Sequence, residues 1–162
     1  MVVNKNSNFN NEFEMPAEKT TDNTYTKTYF FNLISEIFSE FSELTLADVV
    51  ARGFSLATAQ KVRHTASQKF DEELIFKYTT DTIIKAAEIV DKVNKKNNLE
   101  STYAKDFKKA IKVTLNNFIK QKSFDNVNIA QSQIYKVMRN KEKANYYIRT
   151  IVTIADFLNE KT

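Results

Sequence analysis

One glycine and one proline in 162 residues constrain this chain more than any other feature of its sequence. Sandwiches, barrels and α/β sheets turn tightly many times, and Gly and Pro supply most such turns. Without them the chain is left with long helices joined by short polar loops. Asn, Asp, Ser and Thr stand between the apolar runs, where they can cap helices and hold loops. The expected fold class is therefore all-α, a compact bundle of about six to seven helices. A hydrophobic fraction of 42% against 27% charged residues is enough to build an apolar core. The length suits one domain or two very small ones.

The residue types also exclude several chemistries. There is no Cys, so disulfides, thiolate metal sites and Cys nucleophiles are ruled out. His64 is the sole histidine, which rules out a multi-His metal site. A single glycine leaves no Gly-rich phosphate loop. The carboxylates Asp71, Glu72 and Glu73 fit a solvated helix face, and His64 beside Lys61 and Arg63 fits a surface position. No catalytic residue, metal or cofactor is expected. No apolar run reaches the roughly 18 residues a membrane span needs. Residues 1–14 are polar and Asn-rich, unlike a secretory signal. The expected location is the cytoplasm, with no membrane partner.

The net charge of +4 is unevenly placed. Residues 1–45 hold Lys5, Lys19 and Lys27 against Glu12, Glu14, Glu18, Asp22, Glu36, Glu40 and Glu43, a net −4, so the remainder carries +8. A basic body suits a polyanion, because Lys and Arg release counterions when they neutralise phosphates. A Lys- and Asn-rich composition that merely solvates the surface accounts for the same charge.

Three regions follow. Residues 1–24 contain Pro16, lack helical periodicity and read as a flexible N-terminal arm. Residues 25–98 form a first helical region and 99–162 a second. Tyr25 to Phe41 is expected to be helical, since Tyr29, Phe30, Leu33, Ile34, Ile37, Phe38 and Phe41 recur every three or four residues. That stripe faces either the chain's own core or a second copy in a homodimer. A helix from Ser55 is expected to place Leu56, Ala59, Val62 and Ala66 inward and to run through Phe70, Leu74 and Ile75 to about Tyr78. Thr80 to Val93 is the next helix, Asn94 to Asn98 a polar linker, and Tyr103 to Lys122 a further helix. Asn128 to Asn140 and Tyr146 to Asn159 close the chain. Met138 is expected in the core, and of Tyr146 and Tyr147 one is expected to pack and one to sit at the rim.

Two stretches carry helix-turn-helix features. In the first, Thr45 with Asp48 makes a capping box, Gly53 ends a short helix, and Ser55 caps the next. Small Ala51, Ala57 and Ala59 permit close helix packing. Thr58, Gln60, Lys61, Arg63 and His64 fall on or beside the outer side of the second helix. The alternative is a plain structural hairpin. The run VVARGFSLATAQKVRHTASQKF resembles the small helix-turn-helix proteins of Gram-positive mobile elements.

The second stretch, NIAQSQIYKVMRNKEKANYYIRTIVTIADFLN, resembles the latter half of Cro/repressor (Xre-like) domains. Ser132, Ile134, Tyr135, Lys136, Arg139 and Asn140 match the recognition-helix pattern, and Ile151, Ile154, Ala155, Phe157 and Leu158 the helix after it. The resemblance implies that Gln131, Ser132, Gln133, Tyr135, Lys136 and Arg139 face DNA while Ile134 and Val137 anchor the helix. The sequence departs from the pattern in two places. Residues 123–130 offer only a short stretch for the support helix, and Asn140 stands where the family has Gly after the recognition helix. An amphipathic helical pair closing the core is the alternative.

The resemblances together imply a sequence-specific DNA-binding regulator or accessory factor of a phage, plasmid or integrative element, with double-stranded DNA as partner. The competing expectation is a non-enzymatic helical protein that binds a protein partner. RNA binding by the same basic surface is a third.

Overall fold

A computed structural model of the chain describes residues 3–4 and 24–160. Within them the chain is an all-α bundle of eight α-helices. These are α1 (Lys27–Ser42), α2 (Leu46–Ala51), α3 (Leu56–Ser67), α4 (Glu72–Phe76), α5 (Thr80–Lys96), α6 (Tyr103–Ile119), α7 (Gln131–Asn140) and α8 (Ile148–Glu160). A 3-10 turn, Lys141–Lys143, follows α7. Two-residue strands, β1 (Val3–Asn4) and β2 (Leu99–Glu100), pair in parallel with Val3 opposite Leu99. Apart from Val3, Asn4 and Thr24, the expected N-terminal arm lies outside the described residues.

Helix α1 is the centre of the bundle. Thr26 accepts the Tyr29 N–H at 3.0 Å and starts it. Phe30, Phe31, Leu33, Ile34, Ile37, Phe38 and Phe41 are all buried. They meet α3, α5, α6 and α8. The stripe is wide because the helix has neighbours on several sides, and each such side chain contributes roughly 1.5–3 kcal/mol by leaving water. This corrects the homodimer expectation for Tyr25–Phe41: the chain's own core consumes that surface. The buried cluster is continuous from Tyr25 to Leu158 and draws on both helical regions.

A polar cluster crosses this core. Asp91 on α5 accepts from the Ser101 hydroxyl and from the N–H groups of Tyr103 and Ala104, at 3.1 and 3.0 Å. It thereby caps α6, whose own N-cap Thr102 makes no side-chain cap bond. Burial raises the Asp91 carboxyl above its ordinary range, against the opposing pull of its hydrogen bonds from Ser101, Ala104 and Tyr103. The Tyr103 hydroxyl donates to the carboxylates of Glu36 and Glu40 on α1. Burial first, and those two acids next, push its pKa far upward.

Several boundaries differ from the sequence expectation. The helix from Ser55 does not reach Tyr78. It ends at Ser67, where the Ser67 hydroxyl donates to the His64 carbonyl at 2.7 Å and Gln68 turns extended. Asp71 then starts α4 by accepting the Glu73 N–H at 3.0 Å. Phe70, expected along that helix, is 55% exposed at the break, with its ring edge-on to Phe31. Leu56 is also exposed rather than inward. The expected Asn94–Asn98 linker is mostly helix. Asn94 is buried, and its amide donates to Ser101 Oγ at 2.9 Å and Glu40 Oε1 at 3.3 Å. Among the described residues, no helix is long and apolar enough to cross a membrane.

Candidate nucleic-acid interface

The α2–α3 corner forms as its residues dictate. Thr45 accepts the Asp48 N–H at 3.1 Å and Ser55 accepts the Thr58 N–H at 3.3 Å. Gly53 sits at φ 88°, a conformation that strains any side-chain-bearing residue. Phe54 plugs the turn, its ring centroid 4.9 Å from that of Phe41. Ala59 and Val62 press α3 inward.

The outward residues of α3 are less available than their spacing suggests. Arg63 is half-buried and its guanidinium donates to the Leu44 carbonyl at 3.3 Å. The Lys61 ammonium lies 4.9 Å from the centre of the Tyr78 ring, a cation–π contact. Thr58 is half-buried at a small recess shared with Asp81, Thr82 and Lys85. Among the described residues, Gln60 and His64 alone of the five candidates are exposed without such a tie. The surrounding run, residues 46–84, balances Arg52, Lys61, Arg63, Lys69 and Lys77 against Asp48, Asp71, Glu72, Glu73 and Asp81. The corner itself, residues 46–67, holds Arg52, Lys61 and Arg63 against Asp48, and the acids that offset them lie beyond α3.

Helix α7 is different. Of its ten residues only Ile134 and Val137 are buried, the two anchors the spacing selects. Gln131, Ser132, Tyr135, Met138 and Arg139 are exposed, and Gln133 is half-buried. Met138 is therefore no core filler; it is 45% exposed. No side chain caps the helix at Ala130. Residues 120–149 carry Lys120, Lys122, Lys136, Arg139, Lys141, Lys143 and Arg149 against only Asp125 and Glu142.

Two of those cations are structural. Lys136 donates to the Asn145 carbonyl and lies 4.9 Å from the centre of the buried Tyr146 ring. Arg149 pairs with Glu73 at 2.9 Å and stacks on Phe76. Lys136 therefore braces the back of α7. The brace is well seated. Asn145 Oδ1 accepts from the Thr80 hydroxyl at 3.1 Å and the Asp81 N–H at 2.9 Å, capping α5. The Thr80 N–H donates to the Tyr146 carbonyl and the Ile148 N–H to the Tyr78 carbonyl, each at 2.8 Å. Burial, with the Glu142 charge adding, pushes the Tyr146 hydroxyl up to about 12. Tyr147 is the rim residue of the pair, 59% exposed.

The backbone around α7 departs from the Xre-like pattern. Residues 120–130 contain no helix, so no support helix precedes α7. The positive φ that ends α7 falls on Lys141, at 50°, and not on Asn140. Lys120, Lys122, Lys141 and Lys143 are cations that motif matching passes over; a charge count along residues 120–149 finds them. Among the described residues, no group of three or more His, Asp or Glu is placed to hold a metal.

No family model, curated protein or solved structure matches the chain.

Proposed function

We propose that the chain binds double-stranded DNA through the exposed face of α7, as a sequence-specific regulator or accessory factor of a phage, plasmid or integrative element. One observation carries this reading: a helix with six of its ten residues exposed, held from behind by Ile134, Val137 and Lys136, stands in a stretch, residues 120–149, with seven cations against two acids. Gln131, Ser132 and Arg139 are the side chains that can reach base edges. Lys120, Lys122, Lys141 and Lys143 supply phosphate contacts, which position the protein without reading sequence. The uncapped first turn of α7 favours a phosphate in the same place. The α2–α3 corner is support structure on this reading, since Lys61 and Arg63 are engaged within the fold.

The test is an electrophoretic shift with intergenic DNA flanking the gene, at two salt concentrations. Binding should fall as salt rises, with a log–log slope near −0.9 per neutralised phosphate. Replacing Lys120, Lys122 and Lys143 together should flatten that slope by roughly two to three. A chain that shifts no DNA at any salt concentration has another role.

A second reading, a helical protein that binds a protein partner, is favoured by Val50 and Leu56. They are 44% and 49% exposed on the α2–α3 corner.

A further inference from the structure

Helix α7 exposes apolar surface that the other described residues leave uncovered. Tyr135 is 60% exposed and Met138 45%. They are three residues apart, so they project from one side of the helix. Gln131 lies four residues before Tyr135 and Arg139 four residues after it, on the same side. The outward face therefore reads, from N- to C-terminus, amide, phenol ring, thioether, guanidinium. Among the described residues, Tyr135 and Met138 take part in no ring, cation or hydrogen-bond contact, unlike Tyr78, Tyr103 and Tyr146.

The major groove offers one apolar group, the C5-methyl of thymine. It offers a primary amide one bidentate partner, the N6 and N7 edge of adenine. A helix face that alternates an amide with two adjacent apolar side chains matches an A·T-rich stretch. It matches G·C pairs poorly, because those present only donors and acceptors there. The charge of the same stretch of chain favours a polyanion over an apolar protein groove as the occupant: residues 120–149 hold Lys120, Lys122, Lys141 and Lys143 besides Arg139, all exposed.

We infer that Tyr135 and Met138 are specificity-determining residues that pack on thymine methyl groups, with Gln131 on a neighbouring adenine, so that α7 selects an A·T-rich half-site. The inference rests on the DNA reading above and names its target class. Arg139 then lies at the end of the contact, on a phosphate or a flanking guanine.

The experiment selects bound duplexes from a pool with a randomised core. The enriched duplex is then resynthesised with deoxyuridine at each thymine in turn. Uracil pairs as thymine does and lacks only the methyl group. At one or two positions the full chain should lose roughly threefold to tenfold in affinity, the size expected for one buried methyl. Tyr135→Ser or Met138→Ala should remove that difference, while Tyr135→Phe should keep it. Both sites are solvent-facing, and circular dichroism checks that the variants stay folded. Enrichment of an A·T-rich duplex that is indifferent to uracil overturns the methyl contacts and leaves DNA binding standing. Enrichment that Tyr135→Ser does not alter moves recognition away from this face. Failure to retain any duplex, or preference for single-stranded RNA of the same sequence, overturns both this inference and the DNA reading.

Discussion

The Tyr146 hydroxyl donates to the backbone carbonyl of Lys141, the residue where the chain leaves α7 with φ 50° and ψ −136°. That combination is uncommon for any residue with a Cβ and costs on the order of 1–3 kcal/mol. The buried phenol holds the carbonyl in place. Lys141→Gly should therefore raise stability by about 1 kcal/mol in urea unfolding, and Tyr146→Phe should lower it by about 1 kcal/mol. A Lys141→Gly variant less stable than wild type would show that the turn is not strained.

Gly53 makes the converse case. Its φ is 88°, yet a Cβ built there meets nothing within 4 Å. Gly53→Ala should thus cost only conformational energy, roughly 1–2 kcal/mol. Thermal melts read this directly. A larger loss would mean that the α2–α3 corner shifts to accommodate the methyl group.

Asp91 sets a pH dependence. Its folded pKa is raised, chiefly by burial, so folding favours its protonated form. The stability it contributes is complete below the unfolded carboxyl value, ~3.9, and is lost as pH rises through the raised folded value. Asp91→Asn removes this titration. The variant should gain on wild type as pH is raised from acid to neutral, measured by paired denaturation curves. A stability difference that stays constant with pH contradicts the assignment.

Arg63 and Arg139 should separate cleanly. Arg139 is exposed on α7, and Arg139→Ala should weaken specific duplex binding by roughly 1–3 kcal/mol with the fold intact. Arg63 is tied to the Leu44 carbonyl. Arg63→Ala should lower stability by about 1 kcal/mol and leave DNA affinity unchanged. Equal effects of both on binding would return α3 to the interface.

What the sequence determined by itself is whatever depends on neighbours along the chain. The 3.6-residue recurrence from Tyr29 to Phe41, the caps at Thr45 and Ser55, the left-handed Gly53 and the anchors Ile134 and Val137 all stand where local chemistry puts them. Which polar and apolar side chains stay exposed depends instead on how the helices pack. Lys61 is held by Tyr78, Arg63 by Leu44 and Lys136 by Asn145 and Tyr146, and the apolar stripe of α1 is covered by four other helices. Periodicity says which way a side chain leaves its helix, but not what another segment brings to meet it. Exposure at Met138 and Phe70, and the break after Ser67, follow from that packing, because propensity over a few residues is weaker than the burial of a whole helix face.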